Sequence, residues 1–321
     1  MKNFGRIMLI VGMVIGSGFA SGKEIAVFFS RFGYFSYIFI PFAFLLFFGV
    51  FYWILSHGKN GIEKISSSKF YSSLYILICL VFTSSMFAGT KTTISTNVIP
   101  FDVVIMFFLL IFCIYVAKNG LLVLTKINSY LIPFTIFILM LCLIKNRGAI
   151  VTFENGSFFS GILFSILYVV MNISTSSFVI GQLGQSMSKR SMIIVSFFAS
   201  FILSILLLFI NLTLLKHPES LSYSMPLLQI SGGYVYVLMR IVIFVGCLTT
   251  LLSLVYTTSQ NLQKLEICGV FNILISIILP FLASFLGFGK IVSILYPIVS
   301  VLGILLVIPF LEIFNKTKNR E

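Results

Sequence analysis

Residues 7–22 have the sequence IMLIVGMVIGSGFASG, in which a continuous apolar run leads into three glycines within the seven positions Gly16–Gly22. An apolar stretch of about 20 residues is long enough to cross the hydrocarbon core of a membrane as an α-helix. Each glycine weakens a helix by about 1 kcal/mol relative to alanine, so the cluster favours a helix that unwinds midway. The stretch therefore predicts a membrane-spanning helix over residues 4–32 that is interrupted near its centre.

The rest of the chain has the same apolar character. Of its 321 residues, 59% are hydrophobic and 9% are charged, whereas soluble domains carry about 25% charged residues. Too few polar groups remain to cover a water-facing surface, which excludes a soluble globular protein and predicts the lipid bilayer as a partner. The net charge of +13 comes from basic residues that lie between the apolar runs. They do not form the stripe expected of a nucleic-acid-binding protein, so no nucleic acid partner is predicted.

Long runs without Asp, Glu, Lys or Arg locate the spans. Backbone groups in hydrocarbon must be hydrogen-bonded within the protein, which only helices and closed barrels achieve. The runs are too long and too continuously apolar for barrel strands, which alternate over about 10 residues. The predicted fold class is an all-α polytopic membrane protein with about ten transmembrane helices and no soluble domain. The predicted spans are 4–32, 34–57, 71–97, 101–117, 120–144, 157–187, 191–215, 231–262, 267–287 and 291–314.

The distribution of Lys and Arg predicts the orientation. With ten spans both termini lie on the same side of the membrane, and that side carries nearly twice as many basic residues as the other. Cytoplasmic loops carry the excess of Lys and Arg. Both termini are therefore predicted to be cytoplasmic.

The sixth predicted span contains a second irregular stretch, NISTSS at residues 172–177. Small hydroxyl and amide side chains compete for backbone hydrogen bonds, which predicts a second interrupted helix. The first and sixth spans occupy matching positions in two halves of five, residues 1–147 and 148–321, and the second half would be inverted. Interrupted helices at matching positions indicate the binding site of a secondary transporter. The alternative is that the small residues only allow helices to pack closely.

Two half-helices would offer a binding site made mostly of backbone groups. Exposed N–H groups at the start of a half-helix favour a carboxylate, and exposed carbonyl groups favour an ammonium group or a cation. Such a site suits an amino acid or a similar small solute, without any ionised side chain. The predicted substrate-binding residues are Gly16, Ser17, Gly18, Phe19, Ala20, Ser21 and Gly22 in the first span, and Asn172, Ser174, Thr175 and Ser176 in the sixth.

Charged residues near the predicted site need partners, because ions within a membrane are costly and are usually paired. Lys23 and Glu24 follow the glycine cluster, and Arg240 lies in the outer half of the eighth span. We predict that Glu24 and Arg240 form an ion pair in the outer vestibule and act as a gate. Alternatively, these side chains lie at the interface and face lipid headgroups.

Residues 11–33, VGMVIGSGFASGKEIAVFFSRFG, resemble the opening of the YkvI-like bacterial membrane proteins, in which a GxGFASGxEI motif ends the first half-helix. Weaker resemblance continues through MFAG at residues 86–89 and LYVVMN at residues 167–172. This family is similar, distantly, to the amino acid–polyamine–organocation transporters, whose LeuT-type fold is a five-plus-five inverted repeat. The resemblance implies a bacterial cell membrane protein with that fold.

The wider resemblance also implies a sodium site between spans one and eight. Its ligands would be the carbonyl groups of Gly12, Ile15 and Gly246 and the hydroxyl groups of Thr249 and Thr250. A second sodium site is not implied, because Phe19 stands where relatives with that site have an asparagine. In proton-coupled relatives a lysine from span five replaces the sodium. Lys126 is a candidate for that role, although a lysine that reaches the membrane interface is the simpler interpretation.

The function predicted from these features is secondary active transport of an amino acid or similar small solute, coupled to Na⁺ or H⁺, by alternating access. The alternative is a receptor on the same fold that senses a small molecule without transporting it. An enzyme is disfavoured because no acid pairs occur within the spans, and His57 and His217 lie at span ends. No cofactor and no other metal are predicted.

Overall fold

The computed structural model describes residues 2–94, 99–146, 151, 157–267 and 270–306, and within these residues the regular structure is helical throughout. Seven of the described helices are long and apolar enough to cross a membrane, which makes the chain a multi-pass membrane protein. The main helices are α1 (Lys2–Val14), α2 (Ser17–Ala20), α3 (Lys23–Phe28), α4 (Ser36–Ser67), α5 (Lys69–Ile94), α6 (Ile99–Lys145), α7 (Phe158–Gly184), α8 (Lys189–Leu215), α9 (Pro226–Gln229), α10 (Gly233–Lys264), α11 (Val270–Ala283) and α12 (Phe288–Leu306). Short 3-10 helices at Ser30–Phe35, Pro218–Ser222 and Ser284–Leu286 connect some of them.

The first predicted span is interrupted, as the glycine cluster indicates. Helix α1 ends at Val14, the single turn of α2 follows, and α3 begins after Gly22. Gly22 has a φ of 79°, a left-handed conformation that glycine adopts without steric cost. The chain therefore changes direction twice between Val14 and Lys23, in a region where every residue is buried.

Helix α6 covers both the fourth and the fifth predicted spans. Its 47 residues would extend for about 70 Å as one helix, more than twice the thickness of a bilayer core. The backbone leaves the helical conformation at Gly120, with φ 78° and ψ −165°. The predicted boundary between residues 117 and 120 falls at this break.

The predicted interruption of the sixth span is wrong. Helix α7 is continuous from Phe158 to Gly184. The Ser174 hydroxyl donates to the Val170 carbonyl at 2.7 Å, and the Ser176 hydroxyl donates to the Asn172 carbonyl at 2.7 Å. These side chains bond back to carbonyl groups of their own helix. Their hydroxyl groups therefore have partners, and the helix stays continuous.

The helices pack in two main groups around the broken first span. Helix α4 packs along α7 and α8, and α10 packs against α5, α6 and α11. Helix α1 contacts α6, α7, α8 and α10. Large apolar side chains on α6, α7, α8 and α11 face outward, as expected of lipid-facing surfaces, and include Phe107, Phe108, Leu122, Phe137, Phe159, Phe198 and Phe271.

Close approach between α4 and α7 depends on glycine. A Cβ added at Gly184 would collide with the carbonyl group of Leu55, and one added at Gly58 would collide with the backbone of Gly181. The two helices thus touch backbone to backbone, as small residues allow in membranes.

Candidate functional site

The break in the first span leaves backbone groups without their usual helical partners. The amide of Gly16 bonds to the Val14 carbonyl at 2.8 Å and does not reach the Gly12 carbonyl, its partner in a regular helix. The amide of Ser17 donates to the sulfur atom of Met86 at 3.4 Å. The Gly12 carbonyl is therefore available to a group outside its own helix.

Thr250 of α10 occupies that position. Its hydroxyl donates to the Gly12 carbonyl oxygen at 3.1 Å and to the Ile15 carbonyl oxygen at 3.4 Å. Oxygen ligands that surround a hard cation of the size of Ca²⁺ lie about 2.4 Å from it, and at right angles about 3.4 Å from each other. The two distances from the Thr250 hydroxyl are in the range expected between neighbouring oxygen ligands of such a cation.

The other two predicted ligands are arranged differently. Thr249 donates within α10, to the carbonyl groups of Val245 at 3.1 Å and Gly246 at 3.2 Å. A Cβ added at Gly246 would lie 3.0 Å from the Ile15 carbonyl oxygen, so Gly246 lets α10 approach the break. The structure brings Gly12, Ile15 and Thr250 together, whereas the Thr249 hydroxyl and the Gly246 carbonyl bond to each other.

Asn128 of α6 lies beside this cluster and was missed by sequence analysis. Its side-chain oxygen would collide with a Cβ at Gly12 and has no hydrogen-bond partner within the described part of the chain. Its side-chain amide donates to the Leu124 carbonyl at 2.9 Å. Lys126, two residues earlier, is exposed, so the fifth span presents an asparagine and not a lysine to the break.

The predicted substrate-binding segment is buried as a whole. The Ser17 hydroxyl lies 3.4 Å from the Ser85 hydroxyl of α5, and the Ser21 hydroxyl donates to the Gly18 carbonyl at 3.3 Å. Phe19 and Ala20 are fully buried beside them. Residues 16–22 therefore line the centre of the protein, in contact with α5 and α10.

A connecting segment between α8 and α10 covers one end of the break. The Leu227 amide donates to the Ser21 carbonyl at 2.9 Å, and the Lys23 ammonium group donates to the Leu221 carbonyl at 3.1 Å. By the predicted orientation this is the outer end. The two bonds satisfy backbone and charged groups that the turn at Gly22 would otherwise leave buried without partners.

The predicted ion pair between Glu24 and Arg240 is not formed. Glu24 is 2% exposed, and its side chain folds back against Gly18. Arg240 instead donates to the Thr93 carbonyl of α5 at 2.6 Å and approaches the Tyr236 ring. The direction of the short helix α3 explains the difference, because it turns Glu24 inward and not toward a vestibule.

The predicted residues of the sixth span are buried but bond within α7. Asn172 donates to the Tyr168 carbonyl at 2.9 Å, and Thr175 donates to the Asn172 carbonyl at 2.9 Å. A Cβ added at Gly303 of α12 would collide with the Ser174 hydroxyl. The close-packing alternative thus accounts for the small residues at this position.

Two tyrosines complete the surroundings of Glu24. Tyr168 of α7 and Tyr296 of α12 are fully buried, and both interact electrostatically with the Glu24 carboxylate. The side chains of Ser17 and Ser85 lie near Tyr296, but neither forms a hydrogen bond with its hydroxyl group. Tyr168 falls inside the weaker matching stretch 167–172, but its type alone did not indicate a site. In the sequence, Tyr296 is marked only by its position before Pro297. In the structure it follows the π-helical turn Ile291–Leu295.

No protein-family model matches the chain. Two proteins of Bacillus subtilis (strain 168) are similar to it along almost their whole length. The uncharacterized membrane protein YkvI is 22% identical over 315 residues, which cover 90% of this chain and 89% of YkvI. The uncharacterized protein YyaD is 26% identical over 325 residues, which cover 94% of each. The resemblance to YkvI-like membrane proteins, predicted from the motif in the first span, is thus confirmed as a similarity over at least 90% of the chain.

Proposed function

We propose that the protein is a cation-coupled secondary transporter of an amino acid or a similar small solute, acting by alternating access. The observation that carries the proposal is the cluster of Gly12, Ile15 and Thr250 at the break in the first span. It joins a half-helix end to a helix more than 230 residues later, and its oxygen spacing suits a small cation. Irregular backbone at membrane depth is tolerated where it is buried in protein or lines a path for solutes.

The helices support a ten-span arrangement as part of this proposal. Helices α1 to α3 together form one broken span, α6 forms two spans that meet at Gly120, and α11 forms the ninth. Each half, residues 1–147 and 148–321, then contributes five spans. The regular α7 removes one argument for an inverted repeat, so this proposal relies on the first span and on its contact with α10.

Alternating access gives the first span a mechanical role. A cation at Gly12, Ile15 and Thr250 would hold α1 against α10, and its release would free the half-helix α1 to move. The solute would bind at residues 16–22, on the other side of the break. Coupling would arise because both ligands favour the same arrangement of α1, α2 and α10.

The test is a ligand screen by thermal stability of the purified protein, with amino acids in sodium chloride and in choline chloride, each at several pH values. A bound ligand raises stability by RT ln(1 + [L]/Kd). We expect one class of solute to stabilise the protein, and more strongly in sodium than in choline. Equal stabilisation in both salts at every pH would contradict cation coupling and favour a receptor. A lack of stabilisation by any amino acid would contradict the proposed substrate class.

A further inference from the structure

Besides the Asn128 oxygen at Gly12, three further buried polar atoms near the break lack hydrogen-bond partners. They are Oε2 of Glu24 and the hydroxyl groups of Tyr168 and Tyr296, and none has a partner among the residues that the structure describes. They come from three separate elements, α3, α7 and α12. Buried polar groups in folded proteins are nearly always hydrogen-bonded, so three exceptions at one place indicate a missing ligand.

Helix α3, which carries Glu24, packs against both α7 and the Ile291–Leu295 turn of α12. Both phenol groups interact electrostatically with the Glu24 carboxylate, but neither lies close enough to bond with it. Phe28, one helical turn from Glu24, packs on the Tyr168 ring at 5.5 Å, and Phe82 stacks on the Tyr296 ring at 4.3 Å. These ring contacts hold both tyrosine side chains in aromatic and apolar surroundings.

No positive charge of the described chain compensates Glu24. The Lys23 ammonium group bonds to the Leu221 carbonyl, and the Arg31 guanidinium group lies over the Phe164 ring at 3.8 Å. Arg240 bonds to Thr93, and the imidazole of His217 pairs with Glu219 at 3.4 Å. A carboxylate buried without a counter-charge is costly, which makes a cationic ligand the natural partner.

We propose that Glu24, Tyr168 and Tyr296 form a subsite for the ammonium group of the transported solute. A primary ammonium group has three N–H donors and one positive charge, which matches one carboxylate and two phenol oxygens. A proton on Glu24 would neutralise the charge but would leave the phenol groups without partners. The subsite selects solutes that carry an amine, whether or not they carry a carboxylate. The claim that this solute is transported rests on the proposed function, whereas the claim that it binds here does not.

The position of Glu24 also explains why a carboxylate is not required. Its side chain lies against Gly18, where the sequence predicted a solute carboxylate beside free backbone amides. A second carboxylate at that position would be repelled by the first. The solute is therefore held through its amine at the break, and any carboxylate that it carries points away from Gly18.

The test compares matched probes that differ only in their charged groups. The probes are leucine, 3-methylbutylamine and 4-methylpentanoate, together with the corresponding sets based on alanine and on tyrosine. Binding is measured by thermal stabilisation of the full-length protein in detergent. We expect stabilisation by at least one probe that contains an amine, and none by its counterpart without the amine. The subsite would be overturned if a counterpart without an amine stabilised the protein, or if none of the amine probes did.

Variants then assign the binding to these residues. Glu24→Gln loses a charge-assisted bond, so its affinity for the amine should fall about 10–100-fold, and Tyr168→Phe and Tyr296→Phe should each lose about 3–10-fold. Glu24→Asp should bind better than Glu24→Gln. The control is Glu219→Gln at the exposed carboxylate that pairs with His217, and its affinity should not change. Unchanged affinity in a Glu24→Gln variant that has the size-exclusion profile of the wild type would overturn the assignment.

Uptake by proteoliposomes separates this inference from the proposed function. Binding that depends on Glu24, without uptake of the bound probe, would support the subsite and contradict transport. Uptake of a solute that lacks an amine would support transport and contradict the subsite. A response to protons alone, with no amine effect in the wild type, would assign Glu24 to proton binding and overturn the ammonium site.

Discussion

The hydroxyl of Thr250 donates to the carbonyl oxygen of Gly12 at 3.1 Å, across the point where the first membrane-spanning helix is broken. The neighbouring Thr249 turns away and bonds within its own helix. Adjacent residues of one helix thus have different tasks. One closes the helix break from outside, and the other only satisfies its own hydroxyl group.

This difference gives a matched pair of substitutions. Thr250→Val removes the hydroxyl that joins α10 to the break but keeps the side-chain shape. We expect the cation concentration that gives half-maximal stabilisation to rise about 10–100-fold, because an oxygen that contacts the cation is lost. Thr249→Val should change this concentration by less than about threefold. An equal effect of both substitutions would contradict the assignment of Thr250 as the ligand.

The contact between α4 and α7 can be tested through glycine. Gly184→Ala places a methyl group against the Leu55 carbonyl, and backbone cannot move aside as a side chain can. We expect a loss of about 1–3 kcal/mol in the free energy of unfolding, seen as a lower midpoint of thermal unfolding in detergent. Gly49→Ala in the partner helix α4 is the control, since a Cβ there meets no atom within 4 Å. It should be neutral or stabilising by up to about 1 kcal/mol.

The break at Gly120 depends on backbone conformation alone. A Cβ at Gly120 meets no atom within 4 Å, but the residue has a φ of 78°. Gly120→Ala should therefore destabilise the protein by about 1–2 kcal/mol. Gly120→Asn should cost less, because asparagine tolerates positive φ better than alanine. Similar midpoints for the alanine variant and the wild type would contradict a required break between two spans.

The predicted orientation can be tested by labelling introduced cysteines. The described cysteines Cys79, Cys113, Cys142 and Cys247 are buried, so background labelling from them should be low. Gln185 precedes α8 and Ser222 follows it, and both are exposed. With cytoplasmic termini, Ser222→Cys should react with a membrane-impermeant maleimide in intact cells, and Gln185→Cys only after permeabilisation. The reverse pattern would invert the orientation.

The class of the protein and the break in its first helix could be predicted from the sequence because they depend on local properties. Runs of apolar residues set the helices, and the three glycines of residues 16–22 weaken one of them at a defined place. The boundary near Gly120 was predicted for the same reason. Such features do not require knowledge of which helices are neighbours.

The interruption of the sixth span was predicted wrongly because its signal was ambiguous. Hydroxyl side chains can replace helical bonds or can bond back to the preceding turn, and in α7 they do the second. The direction of Glu24 could not be predicted either. It follows from the turn at Gly22, which aims α3 into the protein, and this geometry is not encoded in the spacing of charges.

Residues that complete the site from other helices were missed for a related reason. Asn128, Tyr168 and Tyr296 are each more than 100 positions from the glycine cluster. No irregularity in the sequence marks the positions of Asn128 and Tyr168. Only the packing of α6, α7 and α12 against the break brings these side chains together. The part of the site near Gly12 and Ile15 was predicted through the resemblance to sodium symporters.

The most direct test of coupled transport is solid-supported-membrane electrophysiology of proteoliposomes that contain the full-length protein. Solutes with an amine are applied in sodium chloride, in choline chloride, and at two pH values, with Thr250→Val as the matched variant. We expect a transient inward current for at least one solute, dependent on Na⁺ or on pH, and strongly reduced in Thr250→Val. Binding of a solute in the thermal assay, without any current under all four conditions, would contradict transport and identify the protein as a receptor.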